Sequence, residues 1–307
     1  DTDALRAAVT DRTRAIFVNN ASFPSGWVVA REEWEAIVDV VTSHDLRLVY
    51  WADYEGVLFD GREVIHPAAF SGMRDRTVTV GDVLGEQRMI GWRIAWVVAP
   101  GELVNDVARV HIYSGLLASG FAQIGARVAL EQSSEDLAAA NAEWQRRRDE
   151  TLRQLDGLPA IPAAGGWSLL LDVAELGLDC VDVSNRLLEE KVAATPMRGW
   201  GGEIADRHVR FVFSNEPVER LALLGDRVRR ALDLASSRAH PGGSDTSQAP
   251  RRAPNARDRR LRNAAEALNS PRSPSQQNRR TLAYPGLTKS CGVQGSSPGA
   301  TRHLLVS

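Results

Sequence analysis

Lysine is nearly absent from this chain: two residues, Lys191 and Lys289, stand against thirty-five arginines in 307 residues. A chemistry that needs a lysine amine as covalent nucleophile has only those two places to occur. Cysteine is equally scarce. Cys180 and Cys291 lie far apart without metal-type spacing, so a disulfide framework and a thiolate metal centre are both excluded, and a reduced, cytoplasmic setting is the expectation. The six histidines are scattered as singles with no H-x-x-x-H pair, which removes the common zinc pattern. No G-x-S-x-G elbow and no P-loop occur. No apolar run reaches the length of a membrane span, so no membrane partner is expected. No signal peptide is present, and the chain opens on Asp1, leaving anything upstream out of view.

What is present is a soluble-protein composition, 43% hydrophobic and 25% charged, with enough length for one large domain or two ordinary ones. The net charge of −2 hides a split: residues 235–307 carry twelve Lys+Arg against three Asp+Glu, and the rest is acidic. That last stretch is rich in Arg, Pro, Ser and Gly without apolar periodicity and reads as a disordered basic tail. A solvated tail without a specific role is the simplest account. Contact with nucleic acid by charge alone and a reading-frame artefact are the alternatives.

Before the tail, strand and helix patterns alternate. RAIFVNN (14–20) is a strand, followed by the turn ASFPSG and a helix over residues 31–43. Its Trp34, Ile37, Val38 and Val41 mark one buried face. LRLVYW (46–51), TVTV and RIAWVV follow as strands, and continuous apolar strands between helices indicate a parallel sheet covered on both faces. A long helix is expected over 133–155, opened by a capping box at Ser133 and Asp136, with Leu137, Trp144, Leu152 and Leu155 as a sparse apolar stripe. Two short strands, GWSLLLDV and HVRFVF, and helices at 182–191 and 217–233 complete a smaller α+β unit, with Pro217 in the first turn of the last helix. The domain expectation is a partial large domain (1–118), a connecting helix with a small C-terminal domain (119–234) and the tail (235–307). The glycine cluster GWGGE (199–203) reads as a loop.

Five stretches carry a resemblance: NNASFPSGWV, YWADYEGVLFDG, GDVLGEQRMIGWRIAWVVAP, GGWSLLLDV and HVRFVFS, in this order. Together they resemble the pyridoxal-phosphate (PLP) aminotransferases of class I/II, fold type I, over about residues 1–233. The resemblance implies an α/β fold-type-I architecture, PLP as cofactor, amino acid and 2-oxo acid ligands, and homodimers with sites at the subunit interface. It also implies that the chain begins midway through the family's large domain.

The family's Schiff-base lysine stands eight residues before a phosphate-binding arginine. The resemblance places that arginine at Arg93 and the lysine position at Gly85. Glycine cannot hold the cofactor covalently or shuttle a proton. The phosphate-binding hydroxyl position, three before the lysine, is Asp82, whose charge would repel a phosphate. The aspartate that keeps the pyridine nitrogen protonated is matched by Trp51, which has no charge to give. Phe23 replaces the asparagine that bonds the ring hydroxyl. Tyr54 matches the other hydroxyl partner, and Arg210 matches the arginine that grips the substrate carboxylate. Trp51 and Phe23 read as fillers of an emptied pocket. The resulting expectation is a degenerate aminotransferase homologue, a pseudoenzyme or gene remnant, with covalent PLP binding lost. One alternative is a cofactor-free enzyme or anion-binding protein that uses Arg93 and Arg210. The other is an active aminotransferase completed by a missing N-terminal half.

Overall fold

The structure, a computed structural model, describes residues 2–233 and the backbone of residues 302–306. All of them fall in one compact unit, Asp1–Ser237 with Ser297–Ser307; a second unit, Arg238–Ser296, lies outside the described residues. The expected disordered tail and Cys291 therefore lie outside them too, except for 302–306. The helices are α1 (Thr2–Ala8), α2 (Arg31–Ser43), α3 (Gly101–Gly115), α4 (Gly120–Gln154), α5 (Cys180–Glu189), α6 (Gly202–Asp206), α7 (Val218–Leu221) and α8 (Leu224–Ala231). The strands are β1 (Ala15–Asn19), β2 (Arg47–Trp51), β3 (Thr77–Asp82), β4 (Ala95–Ala99), β5 (Ala160–Ile161), β6 (Ser168–Asp172), β7 (Thr195–Pro196), β8 (His208–Val212) and β9 (Arg302–Val306).

The first sheet has the order β1-β2-β3-β4-β9. β1, β2 and β3 are parallel, so Asn19, Trp51 and Asp82 all sit at one carboxyl edge. β4 runs antiparallel to β3, pairing Asp82 with Ala95. The parallel expectation thus holds for three strands and fails for the fourth. The reason is the connector: residues 83–94 hold one 3-10 turn, Ile90–Trp92, too little chain for a helical crossover. A strand returning through so short a link runs backward.

The helix over 31–43 forms as the periodicity predicts, except that Val40 rather than Val38 joins Trp34, Ile37 and Val41 in full burial. This stripe packs on Leu48 and Tyr50, the alternate residues of β2, and Trp34 meets Tyr50 edge-on with ring centroids 5.6 Å apart. Each such side chain contributes about 2–3 kcal/mol by leaving water. The opposite face of the sheet is only partly covered: Arg47, Val49 and Trp51 are half-buried and Phe17 is 63% exposed. Burial on both faces is therefore not met among the described residues.

The long helix begins at Gly120 and runs unbroken through Ser133, so the expected capping box does not mark its start. Leu137, Trp144 and Leu152 pack against the core of the smaller sheet, as their spacing predicts. Arg148 fastens the rod. Its guanidinium reaches both Asp60 oxygens at 2.6 and 2.7 Å and lies over the Phe59 ring.

The smaller sheet is antiparallel, in the order β5-β6-β8-β7. Every residue of β6 is buried. The helix expected over 217–233 is broken into α7 and α8, and Pro217 is the cap before α7 rather than a first-turn residue. The ASFPSG turn docks on this sheet's lead-in, with Gly26 N–H and C=O both bonded, the latter to Ala164. Gly26 has φ +71°, and a Cβ there would stand 2.8 Å from the Gly165 carbonyl, so only glycine serves.

Candidate functional site

Two clusters gather the predicted residues. The first lies at the carboxyl edge of the large sheet, where β3 ends in Asp82 and the chain turns through Gly85. Asp82 accepts a hydrogen bond from Leu84 N–H at 2.7 Å. Asp53, two residues beyond Trp51, is 6% exposed, and its Oδ1 has no donor facing it. It faces Asp82, and burial together with that neighbouring carboxylate pushes its own pKa up. Two such oxygens bond to each other only when one holds a proton. Glu55, which accepts from Tyr50 Oη at 3.1 Å, is pushed up to about 7 by burial. Glu86, accepting from Gly56 N–H, is raised for the same reason. This edge is a desolvated acidic nest. Among the described residues no group of His, Cys, Asp and Glu could hold a metal ion.

Gly85 is buried inside this nest. A Cβ built on it would stand 2.5 Å from the Asp53 carbonyl oxygen, 2.6 Å from Asp53 Oδ1 and 2.8 Å from Tyr54 Cε1. The direction a lysine side chain would take is filled by backbone and by a carboxylate. Tyr54 is half-buried against Trp167, 6.3 Å between centroids, and burial raises its hydroxyl pKa.

The second cluster lies on the smaller sheet. Arg210, in β8, is 9% exposed and donates one hydrogen bond, from Nη2 to Thr195 Oγ1 at 3.2 Å. Its Nε and Nη1 are buried without acceptors. The guanidinium carbon lies 5.1 Å from the Phe23 ring centroid, 5.2 Å from Trp167 and 5.0 Å from Trp200. Phe23 and Trp167 stack at 5.4 Å. Three π-faces offset part of the lost hydration, and burial still holds the guanidinium below its ordinary pKa. A planar fork with two idle donors in a dry aromatic cage matches a carboxylate.

The structure thus brings Phe23 to Arg210, and Asp82 and Tyr54 to Gly85. Trp51 stands at the same carboxyl edge as Asp82, but its ring, like Arg93, joins neither cluster. Trp51 leans on Phe17, with ring centroids 6.5 Å apart. Arg93 is exposed, in left-handed conformation after the Ile90–Trp92 turn. Sequence reasoning missed Asp53, Trp167 and Trp200. Asp53 had a signal, a carboxylate displaced by two residues from the Trp51 position. Trp200 sits inside the glycine cluster read as a loop, and nothing in its spacing ties it to Arg210.

The profile of the family described as "Aminotransferase class I and II" matches residues 1–223. The chain belongs to that family. It is similar to the arginine–pyruvate transaminase AruH of Pseudomonas aeruginosa, 32% identical over 221 residues, which are 70% of this chain and 56% of that protein. The probable N-succinyldiaminopimelate aminotransferase of Mycobacterium tuberculosis is 31% identical over 74% of this chain and 62% of its own length. Among solved structures, the aromatic aminotransferase from Pyrococcus horikoshii superposes with a TM-score of 0.71 at 29% identity, covering 76% of this chain and 63% of that one. The chain therefore spans about three fifths of the length of such relatives. Aminotransferases of this class use PLP. Gly85 itself does not fit a covalently held PLP: it carries no amine, and a Cβ there meets the Asp53 carbonyl and carboxylate. The buried Asp53 and Asp82 crowd the same edge, while Lys191 lines the adjoining cavity from the loop after α5.

Proposed function

We propose that this aminotransferase-family chain holds the carboxylate of a small amino acid or 2-oxo acid at Arg210 and does not transfer the amino group. The observation that carries the proposal is the closed Cβ direction at Gly85, set against the unpaired donors of Arg210. Holding needs only the fork and its aromatic walls. Transfer needs an amine that links to the cofactor and moves a proton at the ligand's α-carbon. Gly85 supplies none, and Lys191 lines the adjoining cavity from the loop after α5 rather than from the carboxyl edge. Asp53, whose pKa burial and the neighbouring Asp82 carboxylate push up, holds a proton there but is no substitute for an amine. A cytoplasmic setting and homodimerisation form part of the same reading; the first rests on the sparse cysteines and the second on the family resemblance. No helix among the described residues is long and apolar enough to cross a membrane.

The test pairs two assays on the full chain. Calorimetric titration with a 2-oxo acid is expected to show binding that Arg210→Met removes. A coupled transamination assay with added PLP and amino donor is expected to show no turnover above the blank. Turnover at a rate proportional to protein would contradict the reading, as would 2-oxo acid binding that ignores Arg210→Met.

A further inference from the structure

A cavity of 830 Å³ opens between Gly85 and Tyr54 on one side and β8, α7 and α8 on the other. Arg210 does not line it. Its volume falls within the range that takes a small organic ligand. One wall is aromatic, formed by Tyr54, Trp144 and Trp167. The rim carries four cations, Arg88, Lys191, Arg220 and Arg227, against a single carboxylate, Glu216.

The cations differ in how they are used. Arg220 is paired with Glu216 at 3.0 Å, and Arg227 donates to the Glu190 carbonyl at 3.1 Å. Arg88 and Lys191 are exposed, and their side chains make no hydrogen bond or ion pair among the described residues. On the aromatic wall, the Trp167 indole N–H is buried without an acceptor. Residues with unanswered donors from three separate segments therefore line one space, and the buried Trp167 N–H costs free energy until an acceptor arrives. Flat rings favour a flat ligand by offset stacking.

We propose that this cavity is a binding site for an aromatic monoanion, a carboxylate on a flat ring system, separate from the Arg210 clamp. The ring lies against Trp144 and Trp167, and the carboxylate meets Arg88 and Lys191. No bond is made or broken in this binding.

The probe is indole-3-acetate, titrated calorimetrically into the full chain, with 3-methylindole as its uncharged counterpart. Indole-3-acetate is expected to bind at least about tenfold more tightly than 3-methylindole, a factor that one charge-assisted contact supplies. The Arg88→Gln/Lys191→Met double variant is expected to lose about tenfold or more for the acid and to leave 3-methylindole unchanged. Arg210→Met is expected to retain a site of undiminished affinity, which separates this cavity from the clamp. Equal affinity for the two probes, undiminished binding in the double variant, no heat at millimolar acid, or loss of all acid binding in Arg210→Met would each overturn the proposal.

Discussion

At the carboxyl edge of the large sheet the charges are negative and crowded, whereas on the smaller sheet one positive charge stands without a counter-ion. Asp53 and Asp82 press together beside Gly85 and need a proton between them. Arg210 has two donors facing rings rather than acceptors. Both regions carry desolvated charge, but only one has unanswered donors. At Gly85 backbone and carboxylate close the Cβ direction, although a larger cavity adjoins it; around Arg210 three aromatic faces enclose a guanidinium with two unpaired donors.

The largest effect is expected at Gly85. Gly85→Ala places a methyl 2.5–2.6 Å from Asp53 atoms, and overpacking against backbone is expected to cost about 1–3 kcal/mol in urea unfolding. Gly85→Lys is expected to cost more and to leave PLP unbound. A lysine variant as stable as the parent would dissolve the contrast between the closed Cβ direction at Gly85 and the unpaired fork of Arg210.

Arg210→Met is the matching change on the other side. It removes an unpaired desolvated charge, so stability is expected to hold within about 1 kcal/mol or to rise, while 2-oxo acid affinity falls by about tenfold or more. Loss of both together would make Arg210 a structural residue.

The pH dependence comes next. Glu55, Glu86 and Asp53 all have folded-state pKa values above their ordinary ones. The folded chain therefore holds protons that the unfolded chain has released. Their contribution to stability is fully present below the ordinary carboxylate range and is lost as pH rises through neutrality. Thermal unfolding is expected to show a Tm that falls between pH 5 and pH 8, over the window fixed by Glu55 near 7. Asp53→Asn is expected to flatten that fall; an unchanged slope would remove the carboxyl pair from the account.

The smallest effect is expected at Phe23. Phe23→Asn takes one ring from the cage and offers a side-chain amide, so 2-oxo acid affinity is expected to rise about two- to fivefold by calorimetry. A fall would show that the ring supports the fork more than it crowds it.

Much of this contrast was legible before any coordinates. The stripe Trp34, Ile37, Val41 places α2 at Arg31–Ser43 because burial on one face leaves a 3.6-residue imprint. Phe23 and Arg210, each singled out from the family pattern, prove to be in contact, 5.1 Å from ring centroid to guanidinium carbon. Other features leave no local imprint. The reversal of β4 depends on how little chain separates it from β3, and the true start of α4 at Gly120 has no side-chain cap to announce it. Asp53 reads as an ordinary turn residue until the fold sets it against Asp82. Trp200 reads as part of a glycine loop until β8 brings Arg210 beneath it. Charge placement across sheets is set by topology, and topology is what a local pattern encodes least.

The account's central claim is that the space at Gly85 leaves no covalent PLP site. The most direct measurement is intact-protein mass spectrometry of the full chain after incubation with PLP, borohydride reduction and dialysis. The account predicts the unmodified mass. A stoichiometric reduced adduct, mapped by peptide digestion to Lys191 or to any other amine of the chain, would contradict it.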